Sequence, residues 1–458
     1  MTYTDLIFLF GIFPVSTVLS LLDRSPEYKN MILIITSLLF FSWGRPFVVC
    51  LIFLSLFADW SIGLAVGSLR EKNRPAAIAL TVIDGALNLA LMLIFGHNYL
   101  FSETKLALDA ALQPVGMGYY ALRGFSYVHD VCRGKIRAEK NVFCLMTYAV
   151  SFHFMCAGPV VHYGDIEGQI RRREVNTDKL NAGLNSMIWG LGKITILSGA
   201  FAKIHTAGMN GSEITTLGCW LGMLAFFAQN YFLFTGLCDM SRGLSLVGGF
   251  VLPKNYRDIE PDELFTGLVK SYNTTVIGFF ADLLGISESR SKIRTAISAV
   301  ICGGLMGLWY QVSFTALQIG LAAGVLVALE QLLLKDKLAK LPAAVKYIYL
   351  LAASLLIFGG AEFRSFSGYH KWLVGLAGAG TKYTLSVAVK ESVLQNIVLT
   401  AIAFCIVCTP VRIKITGFAD RLSAKNRRTY SAVRAAKTLS TAAIFILSVM
   451  TLVAYAGV

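Results

Sequence analysis

The sequence predicts an all-α polytopic membrane protein with about a dozen transmembrane helices. Three observations predict it. The 458 residues are 55% apolar and 15% charged, with a mean hydropathy of +0.63, which is more apolar surface than a soluble core of this length can bury. Runs of roughly 17 to 25 mainly apolar residues, each long enough to cross a bilayer as a helix, recur along the whole chain. The lysines and arginines cluster in the short segments between those runs, as they do in cytoplasmic loops.

Read in order, the predicted spans are 5–22, 30–46, 47–69, 76–96, 107–131, 183–203, 213–238, 295–311, 313–334, 344–362, 394–411 and 438–457. The first has no basic residue before it and no small-residue cleavage pattern after it, so it reads as a retained span rather than a removable signal. Arg24 with Lys29, then Arg70, Lys72 and Arg74, then Arg133, Lys135, Arg137 and Lys140 mark cytoplasmic loops with the N-terminus outside. The apolar run Val142 to Val160 breaks the alternation, because Arg133 to Lys140 before it and Arg171, Arg172 and Arg173 after it ask for the same side. A re-entrant segment, broken at Gly158-Pro159, is expected there. Such backbone is tolerated at membrane depth only where protein or a water-filled cavity receives its polar groups. From Leu264 to Leu284 an apolar stretch carries Lys270, Asn273 and Asp282; it is expected to lie at the interface or to dip into a polar cavity. The last loop, Arg412 to Lys437, holds eight Lys or Arg residues against the single acid Asp420 and belongs inside. The whole chain, 1–458, reads as one integral membrane domain with a cytoplasmic or re-entrant insert at 239–294.

The net charge of +14 does not point to nucleic acid, since the basic residues form no single stripe. Nine cysteines are scattered, mostly inside apolar runs, as small buried residues are. Cys405 and Cys408 form a C-x-x-C, but within a lipid-embedded helix this spacing argues for neither a redox nor a metal centre. Among intramembrane acids, Asp59 and Asp84 sit mid-run, Asp84 one turn from Asn88. They are expected to bond between helices or to line a substrate path. His153, three residues before Cys156, has no further ligands near it in sequence.

Pro114-Val-Gly-Met-Gly-Tyr-Tyr120 leads into Phe125-Ser-Tyr-Val-His-Asp-Val-Cys-Arg-Gly-Lys135. Then follow Ala157-Gly-Pro-Val-Val-His162, Gly190-Leu-Gly-Lys193, Phe234-Thr-Gly-Leu-Cys-Asp-Met240, Pro253-Lys-Asn255 and Glu362-Phe-Arg364 with Ser367 and Tyr369. Over most of the chain, their order and spacing resemble those of the membrane-bound O-acyltransferase family, in the branch of alginate O-acetylases and teichoic-acid D-alanyl transfer. Gly303-Gly-Leu-Met-Gly-Leu-Trp-Tyr-Gln311 is similar to the Gly-Leu-Trp-His signature, with Tyr310 in the place of the catalytic histidine. Tyr272-Asn-Thr-Thr-Val276 is similar to a second histidine block, with Asn273 in the histidine slot.

The resemblance implies a ring of tilted helices around a central funnel. It also implies transfer of an acetyl or other small acyl group, from a cytoplasmic thioester such as acetyl-coenzyme A or an acyl carrier, to an exported polysaccharide. An extracytoplasmic acetyltransferase is an implied partner, and the cytoplasmic membrane of a bacterium the implied location. The catalytic candidates are Tyr310 and Asn273. A phenol titrates near pH 10, so only about one in a thousand is ionised at pH 7, and an amide accepts no proton at neutral pH. His129, beside Asp130, is an alternative base, though it reads more readily as a neutral histidine bonded to a neighbouring helix. His162 reads as structural. A degenerate homologue acting as scaffold or conduit, and a lipid or glycan transporter, are the other readings.

Overall fold

A computed structural model describes residues 1–23, 25–44, 46–96, 116–209, 215–258, 263–286, 291–310, 313–338, 340–359, 376–378, 385–407, 409–425 and 427–456. The regular elements among them are helices, with one isolated bridge between Tyr256 and Tyr272. Pro114, Gln311, Cys408 and the block from Glu362 to Tyr369 lie outside the described residues, as do parts of the predicted spans 107–131 and 344–362.

The chain forms two compact units: 1–184 with 241–257 and 265–341, and 185–240 with 258–264 and 342–458. Along the chain run α1 Phe13–Leu22, α2 Pro26–Ser42, α3 Phe47–Leu69, α4 Arg74–Leu91, α5 Met117–Arg133, α6 Val142–Val150, α7 Tyr163–Arg171, α8 Thr177–Gly192, α9 Gly199–Met209 and α10 Thr216–Val247. They continue as α11 Leu264–Ser271, α12 Thr274–Leu283, α13 Lys292–Tyr310, α14 Phe314–Leu329, α15 Lys335–Leu338, α16 Ala343–Phe358, α17 Val387–Gln395, α18 Ile397–Val407, α19 Thr409–Lys425 and α20 Arg427–Ala456.

Seven described helices are long and apolar enough to cross a membrane, or eight if α17 and α18, bent by 64°, cross as one. The polytopic architecture stands, but a count of about a dozen is not confirmed. Polar residues account for part of the difference. The first turns of α2 hold Glu27 and Lys29, and α5 carries Arg123, His129, Asp130 and Arg133.

Within the first unit, α6 is nine residues long, about 14 Å and half of a hydrocarbon layer of roughly 30 Å. Its residues from Cys144 to Val150 are buried, and the chain beyond Ser151 turns through a short 3₁₀ segment, Phe152–Phe154. The backbone groups released there are received by protein. Ser37 Oγ accepts from the Phe152 amide at 3.1 Å and Tyr3 Oη donates to its carbonyl at 2.5 Å. Ser241 Oγ donates to the carbonyls of His153 and Gly158. The polar backbone of this irregular segment is therefore satisfied by protein groups.

The hairpin of α13 and α14 packs backbone on backbone. A Cβ at Gly307 would stand 2.1 Å from the Ala316 carbonyl oxygen, and one at Gly303 would stand 2.3 Å from that of Gly320. Small residues at such a seam let two membrane helices approach closely. On α3 and α4, Asn88 Nδ2 bridges the two buried acids, at 2.9 Å from Asp59 Oδ1 and 3.4 Å from Asp84 Oδ2.

In the second unit, Leu197, Phe201, Ile204, Phe232 and Ala403 form an apolar core, with the Phe201 and Phe232 rings stacked at 5.8 Å. Two of the family-like motifs meet here: Lys193 Nζ lies 2.6 Å from Asp239 Oδ2.

Candidate active site

The apolar stretch from Leu264 is not one helix. It breaks between α11 and α12 at Asn273, whose φ of +56° and ψ of +49° place it in the left-handed region. Asparagine enters that region more readily than most residues. The break turns the Asn273 side chain into the protein, where the residue is 0% exposed.

A chain of amides fixes its orientation. Asn255 Oδ1 accepts from the Thr275 amide at 3.0 Å and from Thr275 Oγ1 at 2.6 Å, and Asn255 Nδ2 donates to the Ala157 carbonyl at 2.7 Å. A backbone donor and a backbone acceptor thus settle which way the Asn255 amide faces, a choice that heavy atoms alone leave open. Its Nδ2 also donates to Asn273 Oδ1 at 2.9 Å. Asn273 must then present its own Nδ2 outward, and that nitrogen lies 3.3 Å from Tyr310 Oη. The two slots that the family fills with histidine, 37 residues apart here, are side by side. They are joined by neutral groups.

Tyr310 is the last residue of α13 and half exposed, while Trp309 beside it is buried. Trp309 rests on α5: its ring meets Tyr119 edge-on at 5.1 Å, and a Cβ at Gly118 would come within 3.0 Å of it. The Val160 amide donates to Thr275 Oγ1 at 2.9 Å. Segments from four of the motifs, around Gly118, Ala157, Asn255 and Trp309, therefore converge on the α11–α12 break. Asn255 ends the Pro253-Lys-Asn255 motif but was given no site role there. Its signal was its place between a Pro-Lys pair and the Asn273 block, which becomes informative only when the hydrogen bonds are seen.

His129 does not join this pair. It lies ten residues beyond Tyr119 on α5, about 15 Å along the helix, with its ring beside Phe125 and 3.9 Å from Asp130. The closer partner of Asp130 is His162, whose Nδ1 is 2.6 Å from Asp130 Oδ2 and 3.1 Å from Ser126 Oγ. Lys135 Nζ stands 3.8 Å from Asp130 and 2.6 Å from Asp282 on α12. The hydrogen bond to the Asp130 carboxylate lifts the His162 pKa above its ordinary value. This is an ion network at the far end of α12 from Asn273. His153 is buried against Gly248 and Phe152. Among the described residues no group of three or more His, Cys, Asp or Glu side chains is placed to hold a metal.

Comparison with known proteins agrees with the motif reading. A Pseudomonas putida protein named "Probable alginate O-acetylase AlgI" is 28% identical over 352 residues, covering 73% of this chain and 71% of its own. An Azotobacter vinelandii protein of the same name is 28% identical over 384 residues, covering 80% and 75%. The chain is similar to these probable alginate O-acetylases over most of its length. A Helicobacter pylori peptidoglycan O-acetyltransferase is also similar, at 21% identity over 375 residues, 71% of this chain and 69% of that protein. No family model matches the chain. The resemblance to membrane-bound O-acyltransferases stands on these relatives and on the order of the motifs.

Proposed function

We propose that this chain is an O-acyltransferase of a bacterial cytoplasmic membrane that moves an acetyl group from a cytoplasmic thioester to an exported polysaccharide, with Asn273 and Tyr310 at the reacting centre. The observation that carries this reading is their contact at 3.3 Å, made in a chain whose relatives are named for O-acetylation of alginate and of peptidoglycan. In such a transfer the acceptor oxygen attacks the thioester carbonyl carbon, the C–S bond breaks, and the acceptor's proton ends on the leaving sulfur. A phenol keeps its own proton at pH 7, so Tyr310 acts as a hydrogen-bond donor to the carbonyl oxygen or the leaving sulfur. Asn273, donating to the phenol oxygen, holds it in place. Without imidazole at either slot, general-base assistance worth about 10² to 10⁴ in rate is missing. Positioning must supply what catalysis there is.

That deficit favours a second reading, a scaffold or conduit that serves an extracytoplasmic acetyltransferase. The test is acyl transfer from acetyl-coenzyme A to alginate oligosaccharide by purified protein in liposomes. We expect slow turnover that Tyr310→Phe lowers by about 10²-fold, the size of losing one donor to a developing oxyanion. No turnover with acetyl-coenzyme A or an acyl carrier thioester leaves the scaffold. Turnover unaffected by Tyr310→Phe places the reaction elsewhere.

A further inference from the structure

Arg173 is 7% exposed and keeps company with other cations. It lines an open cleft of about 590 Å³ with Arg172 and Lys179, where Glu174 is the one carboxylate. It also lines a crevice of about 20 Å³ beneath α1 and α2, room for one water, together with Lys29, His153, Ser16 and Ser20. Lys29 and His153 are themselves buried. The guanidinium lies against the Phe250 ring, 4.6 Å from its centroid, which satisfies a face and none of its N–H groups. Among the described residues its Nε and Nη1 have no hydrogen-bond acceptor, nor has His153 Nδ1.

A buried carboxyl without a counter-charge sheds its cost by taking up a proton. A guanidinium has no such escape: burial holds Arg173 down at about 10, still well charged at pH 7. An unpaired buried cation is costly, and a second one beside it adds repulsion. An anion of planar or tetrahedral oxygens, matched by the guanidinium fork, resolves both.

We propose that the cleft is a binding site for an anionic phosphate ester, with Arg173 as its floor and Arg172 and Lys179 at its mouth. Pro26, the first residue of α2, borders the mouth, and α1 beside it exposes Val15, Val18 and Leu22. A phospholipid whose chains lie along α1 therefore brings its phosphate to Arg173, and basic pockets between membrane helices on the cytoplasmic side suit such headgroups. A soluble phosphate ester reaches the same guanidinium through the open cleft. The site is separate from the Asn273–Tyr310 pair and does not depend on acyl transfer.

The test is thermal stability of the full chain in detergent, titrated in separate arms with phosphatidylglycerol, with phosphatidylcholine, with inorganic phosphate and with coenzyme A. Arg172→Gln at the exposed mouth is followed beside Arg173→Lys, which keeps the charge and loses the fork, so that the result does not hang on one buried substitution. We expect stabilisation by phosphatidylglycerol above phosphatidylcholine, weakened about tenfold in apparent affinity by either variant. Stabilisation by inorganic phosphate or coenzyme A with no preference among lipids, weakened by the same variants, makes the ligand a soluble ester. No stabilisation in any arm, or stabilisation equal in the wild type and both variants, overturns the site.

Discussion

The two ends of α12 are built from different chemistry. Its first turn begins at Asn273, held by Asn255 and facing Tyr310 through amides and hydroxyls. Its last turn carries Asp282, paired with Lys135 in a network that includes Asp130 and His162. A ten-residue helix, about 15 Å long, separates them, and the core between them is Val276, Phe279 and Phe280 against Met306 and Trp309. Amides and hydroxyls hold the end where the two histidine-slot residues meet. The imidazole and carboxylates gather at the other, where Ser126, Asp130 and Lys135 of one motif meet His162 of another. Position and proton affinity, which a histidine would combine in one residue, are divided between the ends.

The largest effect should follow from reuniting them. Tyr310→His puts an imidazole beside Asn273, and acyl transfer should rise by about 10² to 10⁴-fold. A folded variant with no gain would mean that the first end lacks more than a base. At the other end, Asp130→Asn takes the buried carboxylate from His162 and leaves Lys135 with Asp282 alone. It should cost about 3 kcal/mol of stability, read by denaturation in detergent, with a much smaller change in transfer rate. A rate loss as large as that of Tyr310→Phe would erase the distinction between the ends.

The His162 pair gives the next effect and a pH signature. Its pKa is raised in the folded state by the hydrogen bond to Asp130, so its stabilisation is complete below about pH 6.5. It is lost as pH rises through the lifted value. His162→Gln should lower stability at pH 6 by about 1 to 3 kcal/mol and flatten its decline toward pH 9; an unchanged slope would deny the charged pair. Smallest of all, Lys135→Met removes a partly exposed ion pair, 42% and 31% exposed at its two side chains, and should cost at most about 1 kcal/mol, less at high salt.

Much of the scaffold was legible because hydropathy and charge act locally. The span 47–69 coincides with α3, and 313–334 with α14 and its continuation. In the 142–160 run the break was expected at Gly158-Pro159, whereas α6 already ends at Val150. The break at Asn273 was not legible, since 264–284 reads as one apolar stretch and only a backbone dihedral divides it. Asp130 shows the limit most plainly. Its sequence neighbour His129 drew the attention, yet at 3.9 Å it is the weaker partner, and His162, 32 residues on, makes the 2.6 Å contact. Hydrogen-bond partners are chosen by helix packing, which no local pattern encodes.

The glycine seam of α13 and α14 bears on how replaceable Tyr310 is. Main chain touching main chain at Gly303, Gly307 and Gly320 leaves no pliable side chain to absorb a shift, so the tip of α13 stays at one height whatever residue it bears. Swapping that tip then changes the side chain at a fixed address without moving the helix that carries it.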